Sequence, residues 1–410
     1  SLFLNRLAVE KLKEESLKTR LLPLLSDEKS KKAFLKDPYS YYKDHPHSQI
    51  ARDFVVIPSL GEYEGTYFQG SFYQIMLKIF LDMVKRYDDS PFDALYLDIS
   101  SGLNVYNLAL LESARAFLIF LGLQNFHTPE CVPKLYLTFS EPIQSDKSRP
   151  HKIHKDNQIE VRAFFSLPLK PSSSDINSAF SKFAKSLQEL LSQDRAFKNT
   201  LNSLLTKACF FYSTIKHNTP LVLYFWEHHP LEEVTSFLKE LTELVEKKLT
   251  ESYQKPPLDD ETIKKIRDVY YTLALYIGLI KIFEQRGIHL KSEVSLSELE
   301  KNFRDERETL FKYFDLMSNR TFFGAEVENT IKNKCGSRIS SEFTLLRDYL
   351  EPSSDEIHSR NFFAHCGLER NLVEIRGEFT NHEHWEVYLR YHSDETKRKK
   401  IEEFLMEVES

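Results

Sequence analysis

Near its C-terminal end the chain reads Arg360-Asn361-Phe362-Phe363-Ala364-His365, which places a guanidinium, an amide and an imidazole close together. These side chains suit phosphodiester chemistry. Histidine exchanges protons near neutral pH, and a guanidinium presents a planar fork of donors to phosphate oxygens. If the segment is helical, Asn361 and His365 lie four apart on one face, and Arg360 reaches round from one residue earlier. The flanking Phe362, Phe363 and Ala364 predict a packed segment rather than a mobile loop. Arginine and histidine at this spacing also recur by chance, so reading Arg360, Asn361 and His365 as catalytic needs a second signal.

That signal lies upstream, in Leu97-Asp98-Ile99-Ser100-Ser101-Gly102-Leu103-Asn104. A strand over Ala94 to Ile99 leads into it, and an apolar helix to about Leu121 leads out. In doubly wound folds ligands bind where a strand's carboxyl end meets a helix N-terminus, and the amides and dipole there favour phosphate. Gly102 permits close backbone approach, while Ser100, Ser101 and Asn104 offer hydrogen bonds to a phosphate, a ribose or a base edge. No G-x-G-x-x-G and no G-K-[ST] occurs, which argues against ordinary dinucleotide and P-loop binding. The plainer alternative is a strand-to-helix turn with an N-capping serine.

The elements that must hold these sites fall into two blocks. In the first, Phe54 to Pro58 reads as a strand, and a loop with Gly61, Gly65, Gly70 and Ser71 follows it. Phe72 to Arg86 reads as a helix, Lys134 to Phe139 as a strand and Ile159 to Leu167 as one more. Alternating strands and helices predict an α/β Rossmann-like domain with a mostly parallel, doubly wound sheet. Ser1 to about Lys18 already has helical spacing, so the opening strand expected of such a domain is missing from this numbering. Pro168 to Asp175 is a linker by composition. We therefore expect two units, 1–170 and 171–410.

The second block is mainly helical. Helical periodicity covers Ala179 to Leu191, Ala196 to Tyr212, Leu231 to Leu249 and Asp260 to Arg286. Further helices are predicted over Glu300 to Asn319, with Ser297 as a possible cap, over Ser341 to Leu350, through the Arg360 segment, and from about Thr396. Leu372 to Tyr391 alternates and reads as a hairpin.

A chain of 410 residues corresponds to about two or three domains. No apolar run is read as membrane-spanning and no leader opens the chain, so a cytoplasmic protein without membrane contact is expected. The net charge of −6 restricts any nucleic-acid contact to a local basic groove. Cys131, Cys209, Cys335 and Cys366 are scattered, which supports neither a disulfide framework nor a cysteine zinc site. His228-His229 and His382-x-His384 lack an acidic or cysteine partner set, so no metal is expected there. Cys366 would need a separate activating base to act as a nucleophile. Lys397 to Lys400 reads as a solvated helix face that also suits guiding RNA.

Asp98 to Asn104, D-I-S-S-G-L-N, resembles the ligand loop of CARF domains, the CRISPR-associated Rossmann-fold sensors. Pro58 to Gly65 and Phe68 to Ser71 resemble the loop and helix start that precede it in that family. R-N-F-F-A-H-C-G-L-E resembles the active-site motif of HEPN ribonucleases. In this order, with helices between, the pair resembles the accessory ribonucleases of type III CRISPR systems, of the Csx/Csm class and closest to its Csx branch.

The resemblance implies a CARF domain followed by a helical HEPN domain with a small β-hairpin. It implies a cyclic oligoadenylate as activator, with cyclic tetra-adenylate favoured, and no cofactor. Asp98, Ser100, Ser101, Gly102 and Asn104 would bind the activator, with Ser59, Gly61, Glu62 and Ser140 at the rim. A homodimer or higher homo-oligomer would present two such loops to a two-fold ring. Arg360, Asn361 and His365 would cut single-stranded RNA without metal, leaving a 2′,3′-cyclic phosphate. Two rivals remain: a non-catalytic sensor that regulates, and a sensor that degrades its own ligand.

Overall fold

Buried backbone N–H and C=O groups need partners, and the N-terminal half supplies them with a small mixed sheet. The structure, a computed structural model, describes residues 15, 18–19, 22–25, 27–30, 33, 55–63, 66–100, 104–140, 153–159, 195–251, 258–350, 356–380 and 384–407. Strands β1 (Leu60–Tyr63) and β2 (Thr66–Gln69) form an antiparallel hairpin with Tyr63 opposite Thr66. The strand expected over 54–58 is displaced into the supposed glycine loop. Residues 55–58 are not part of a strand, whereas 60–63 finds its partner across a short connection.

Ser71 starts α1 (Phe72–Asp89) with a reciprocal cap. Its hydroxyl accepts from the Gln74 N–H at 3.1 Å, and Gln74 Oε1 accepts from the Ser71 N–H at 3.2 Å. A βαβ unit follows: β3 (Ala94–Asp98), α2 (Asn104–Gln124) and β4 (Lys134–Ser140), with the two strands parallel. Strand β5 (Ile153–Ile159) then returns antiparallel to β4, giving the order β3-β4-β5. The sheet is therefore mixed rather than mostly parallel. Strand β5 ends at Ile159, and residues 160–167 of the last predicted strand lie outside the described ones.

Helix α2 corrects another expectation, because its 21 residues are long and apolar enough, by length and composition alone, to cross a membrane. In the fold it is a core helix: Ala109, Phe117, Phe120 and Leu121 are buried, and it packs against α1.

Three helices of the second block fall close to their predicted positions: α3 (Arg195–Lys216), α4 (Leu231–Glu251) and α5 (Asp260–Arg286). The Asp259 carboxylate accepts from the Thr262 N–H at 2.8 Å to open α5, and Gly287, at φ 68°, closes it in the left-handed region. Helix α5 joins the two blocks. Its buried Tyr270 meets Phe80 of α1 edge-on at 5.5 Å and Phe120 of α2 at 6.2 Å, and donates its hydroxyl to Thr242 of α4 at 3.0 Å. Lys78 of α1 pairs with Glu246 of α4 at 3.1 Å.

Beyond α5 the chain is more broken than its periodicity predicts. Strand β6 (Val294–Ser295) leads into α6 (Leu296–Phe303), which is capped by Ser295 and not Ser297: Ser295 Oγ accepts from the Glu298 N–H at 3.2 Å. The predicted helix over 300–319 stops at Phe303. Asp305 accepts from the N–H groups of Arg307 and Glu308, and the Thr309 hydroxyl donates to Phe303 O, so local side-chain bonds replace the helical ladder. A 3₁₀ turn, Leu310–Phe314, precedes α7 (Met317–Glu326).

The helix expected over 341–350 is instead β7 (Thr344–Leu345) and a 3₁₀ turn. After α8 (Ser359–Ala364), the predicted hairpin appears as β8 (Val373–Thr380) and β9 (His384–Tyr391), and α9 (Glu395–Glu407) closes the chain. The backbone of β7 is taken up by β8, in an antiparallel sheet of order β6-β9-β8-β7. The predicted helix over 179–191 and the linker 168–175 lie outside the described residues.

Candidate functional site

The six-residue helix α8 carries the Arg360 segment, and Phe362 anchors it. That ring is fully buried, 5.3 Å from Phe363 and 5.8 Å from Phe404 of α9. Phe363 in turn lies 5.5 Å from His217 at the end of α3. With Phe362 inward, Arg360, Asn361 and His365 are left exposed. Arg360 is exposed, and no described residue pairs with its side chain.

His365 is the C-cap of α8, and its N–H donates to Asn361 O at 3.0 Å. The chain then closes with two crossed bonds, Cys366 N–H to Phe363 O at 3.2 Å and Gly367 N–H to Phe362 O at 2.8 Å. Both residues adopt positive φ, 53° at Cys366 and 78° at Gly367. Gly367 sits in the left-handed region, and an added Cβ there would crowd Thr219 at 3.0 Å and the Tyr391 hydroxyl at 3.1 Å, so glycine suits both the φ and the space. Asn218 Nδ2 donates to Cys366 Sγ at 3.2 Å and to Asn319 O at 3.0 Å, tying this turn to the end of α3 and the start of α7. Burial pushes the Cys366 thiol up to about 12, which makes it unfit as a nucleophile.

The group that fixes the imidazole is one the sequence did not reveal. His365 Nδ1 lies 3.2 Å from Glu326 Oε1, at the last residue of α7. The imidazole is 49% exposed and the carboxylate only 14%. Thr330 Oγ1 donates to the same Oε1 at 2.5 Å. The hydrogen bond to Glu326 raises the His365 pKa against a smaller opposing effect of burial. Burial pushes the Glu326 carboxyl up, but the bonds from His365 and Thr330 and the His365 and Lys334 charges outweigh it, leaving it below its ordinary value. The Asn361 side chain makes no bond to His365 among the described residues.

At the other site, Ser100 N–H donates to Asp98 Oδ1 at 3.0 Å and Ser100 Oγ donates to it at 2.5 Å. Ser140 N–H donates to Ser100 Oγ at 2.9 Å. Asp98, Ser100 and Ser140 are thus one cluster that pins the carboxyl ends of β3 and β4 together. Asn104 is exposed at the first residue of α2. Leu60 N–H reaches the Tyr106 hydroxyl at 3.4 Å, which brings the Ser59–Gly61 stretch to the first turn of that helix. Gly61 adopts φ 101°, and Glu62 belongs to β1. Ser101 and Gly102 lie outside the described residues.

Of the remaining candidates, His382 lies outside the described residues. His229 sits between the Ser203 hydroxyl at Nε2 and the Tyr276 hydroxyl at Nδ1, each at 3.0 Å. Among the described residues no three His, Cys, Asp or Glu side chains group as a metal site would require. The Lys397 to Lys400 run is not simply a solvated face: Lys397 donates to Asn371 O at 3.0 Å, and Arg398 donates to Phe225 O at 3.2 Å and covers Trp226.

The mixed α/β domain with polar side chains at its strand ends and the mainly helical domain exposing Arg-Asn-x₃-His are a CARF domain and a HEPN domain. The chain matches the CARF domain of the CRISPR system endoribonuclease Csx1 over residues 8–142, and the HEPN domain of the same endoribonuclease over residues 316–395. It belongs to the Csx1 CRISPR endoribonucleases, with a CARF sensor domain and a HEPN domain. No curated protein matches it. The CARF domain implies a cyclic-nucleotide ligand and the HEPN domain an RNA substrate. Helices α3 to α6, including the joining helix α5, lie between the two matched spans.

Proposed function

We propose that a cyclic oligoadenylate, cyclic tetra-adenylate by preference, binds the CARF loop and switches on metal-independent cutting of single-stranded RNA at the HEPN site. One observation carries the assignment of the site: inside the matched HEPN span, α8 exposes Arg360, Asn361 and His365 together on a buried aromatic anchor. In the cleavage step a 2′-hydroxyl loses its proton to a neutral imidazole, and its oxygen bonds to phosphorus. The P–O5′ bond breaks, and the 5′-oxygen takes a proton from a cationic imidazole. Arg360 stabilises the charge on the five-coordinate phosphorus, and Asn361 orients the phosphate. One histidine does not serve both oxygens, so two protomers share a site across a two-fold axis. The products are a 2′,3′-cyclic phosphate and a 5′-hydroxyl.

Incubation with end-labelled single-stranded RNA, with and without cyclic tetra-adenylate and in excess chelator, tests this reading. Ligand-stimulated, chelator-resistant cutting with cyclic-phosphate ends is expected. Loss of cutting in chelator, or equal cutting without the ligand, overturns it.

The sensor assignment is tested separately by ligand titration. Asn104→Ala, at an exposed position, is expected to weaken cyclic tetra-adenylate binding with little change in stability. Ser100→Ala removes bonds to both Asp98 and Ser140 and is expected to weaken binding and cost less than about 1 kcal/mol of stability, because the cluster is exposed. Unchanged affinity in both variants would remove this loop from the ligand site.

A further inference from the structure

A proton-transfer histidine works only if its ring is held with the correct nitrogen toward the substrate, and a carboxylate on the other nitrogen is the usual means of holding it. We propose that Glu326 is the positioning residue of the RNA-cleaving site: it binds His365 Nδ1 and leaves Nε2 as the atom that exchanges a proton with RNA. This inference rests on the HEPN-site reading above and adds a residue to it.

The geometry supports the assignment from several directions. Glu326 Oε1 is 3.2 Å from Nδ1, and its carboxylate is mostly buried while the imidazole is half exposed, so the charge is shielded from water on the protein side only. Thr330 Oγ1, donating at 2.5 Å, fixes the carboxylate in turn. Glu326 ends α7, and the chain continues without a break into a π-helical stretch, Val327–Cys335, the kind of local widening often found at functional sites. The Cys366–Gly367 closure and the two bonds from Asn218 hold the backbone of His365 against the same helix.

Charged and titratable groups approach from each neighbouring element. Glu326 comes from α7 and Lys334 from the π-helical stretch, while Glu369 and Arg370 follow α8 in the chain. Arg360 lies on α8 itself, and His217, at the end of α3, rests on Phe363. Of these, Glu326 is the one hydrogen-bonded to the imidazole and has the largest effect on it, favouring the cation. A histidine so placed keeps its proton to a higher pH than a free imidazole, which suits a donor to the leaving 5′-oxygen. Removing the carboxylate lets the cation lose its proton at a lower pH.

The test compares wild type, Glu326→Gln, Glu326→Asp and His365→Ala as full-length, ligand-activated proteins. Glu326→Gln should lower kcat about tenfold or more with KM little changed, and should move the alkaline limb of the kcat–pH profile to lower pH. Glu326→Asp, which retains the charge, should recover part of both effects. Histidine-selective ¹⁵N titration, with His365 assigned by its absence in His365→Ala, gives a readout free of activity: His365 should titrate lower in Glu326→Gln. If Glu326→Gln keeps the wild-type kcat and alkaline limb while His365→Ala is inactive, the inference fails and the site stands. If Gln and Asp lose activity equally with the limb unmoved, the carboxylate only fills space and the inference again fails. Full cutting by His365→Ala would instead overturn the underlying reading of the site.

Discussion

His365→Ala is expected to lower ligand-activated RNA cutting by a factor of about 10² to 10⁴, the range supplied by a positioned proton donor or acceptor. Arg360→Ala is expected to lower it by about 10² to 10³, the range associated with losing one group that stabilises transition-state charge. The two losses should not multiply, because a site that has lost proton transfer gains little from a stabilised phosphorus. Single-turnover cleavage of a short labelled RNA separates these losses from product release. Both side chains are exposed, so neither substitution should disturb folding. Binding of cyclic tetra-adenylate, measured on the same preparations, should stay at its wild-type value. A His365→Ala protein that cuts at the wild-type rate would remove this helix from the chemistry.

The second large effect concerns the joint between the two domains. Gly278 faces α2 so closely that an added Cβ would lie 2.3 Å from Leu123 O and 2.7 Å from the Phe126 ring. The closest obstacle is backbone, so α2 and α5 must move apart. Overpacking of this kind costs typically about 1–3 kcal/mol, and we expect Gly278→Ala to lose stability on that scale in denaturant unfolding. The displacement also has a direction. Phe126 packs on Phe314 at 5.0 Å, just before α7, which ends on Glu326. Lys281 of α5 ties the same corner by donating to Asn125 Oδ1 at 3.0 Å. Gly278→Ala should therefore reduce the ratio of cutting with ligand to cutting without it, while the ligand still binds. An unchanged stimulation ratio in a folded variant would show that this corner does not carry the signal.

Much of this organisation is legible in local sequence. The helices α3, α4 and α5 appear where apolar residues recur at helical spacing, and the 372–391 hairpin appears where they alternate. The Arg360 segment is legible because its three polar residues fall within six consecutive positions and the phenylalanines between them predict the buried side. What local pattern misreads is where competing bonds decide. Asp305 and Thr309 break a stretch whose spacing suits a helix, and β7 is a strand because β8 lies beside it. Strand β5 shows the same dependence, since its antiparallel direction follows from pairing with β4 and not from its composition.

The sequence by itself determined the two candidate site segments, their order, and the residue types from which chemistry is proposed for α8, because each of those is written within a few consecutive residues. Only the tertiary structure decided which carboxylate reaches His365. Glu326 stands 39 residues earlier, on a helix whose periodicity says nothing about its neighbours. Only the fold brought Ser140, 40 residues further along the chain, to the exposed Ser100 hydroxyl that also binds Asp98. Hydrogen bonds at about 3 Å depend on how whole elements pack, and that packing is settled by the buried faces of α5, α7 and the sheet together rather than by either site's own residues.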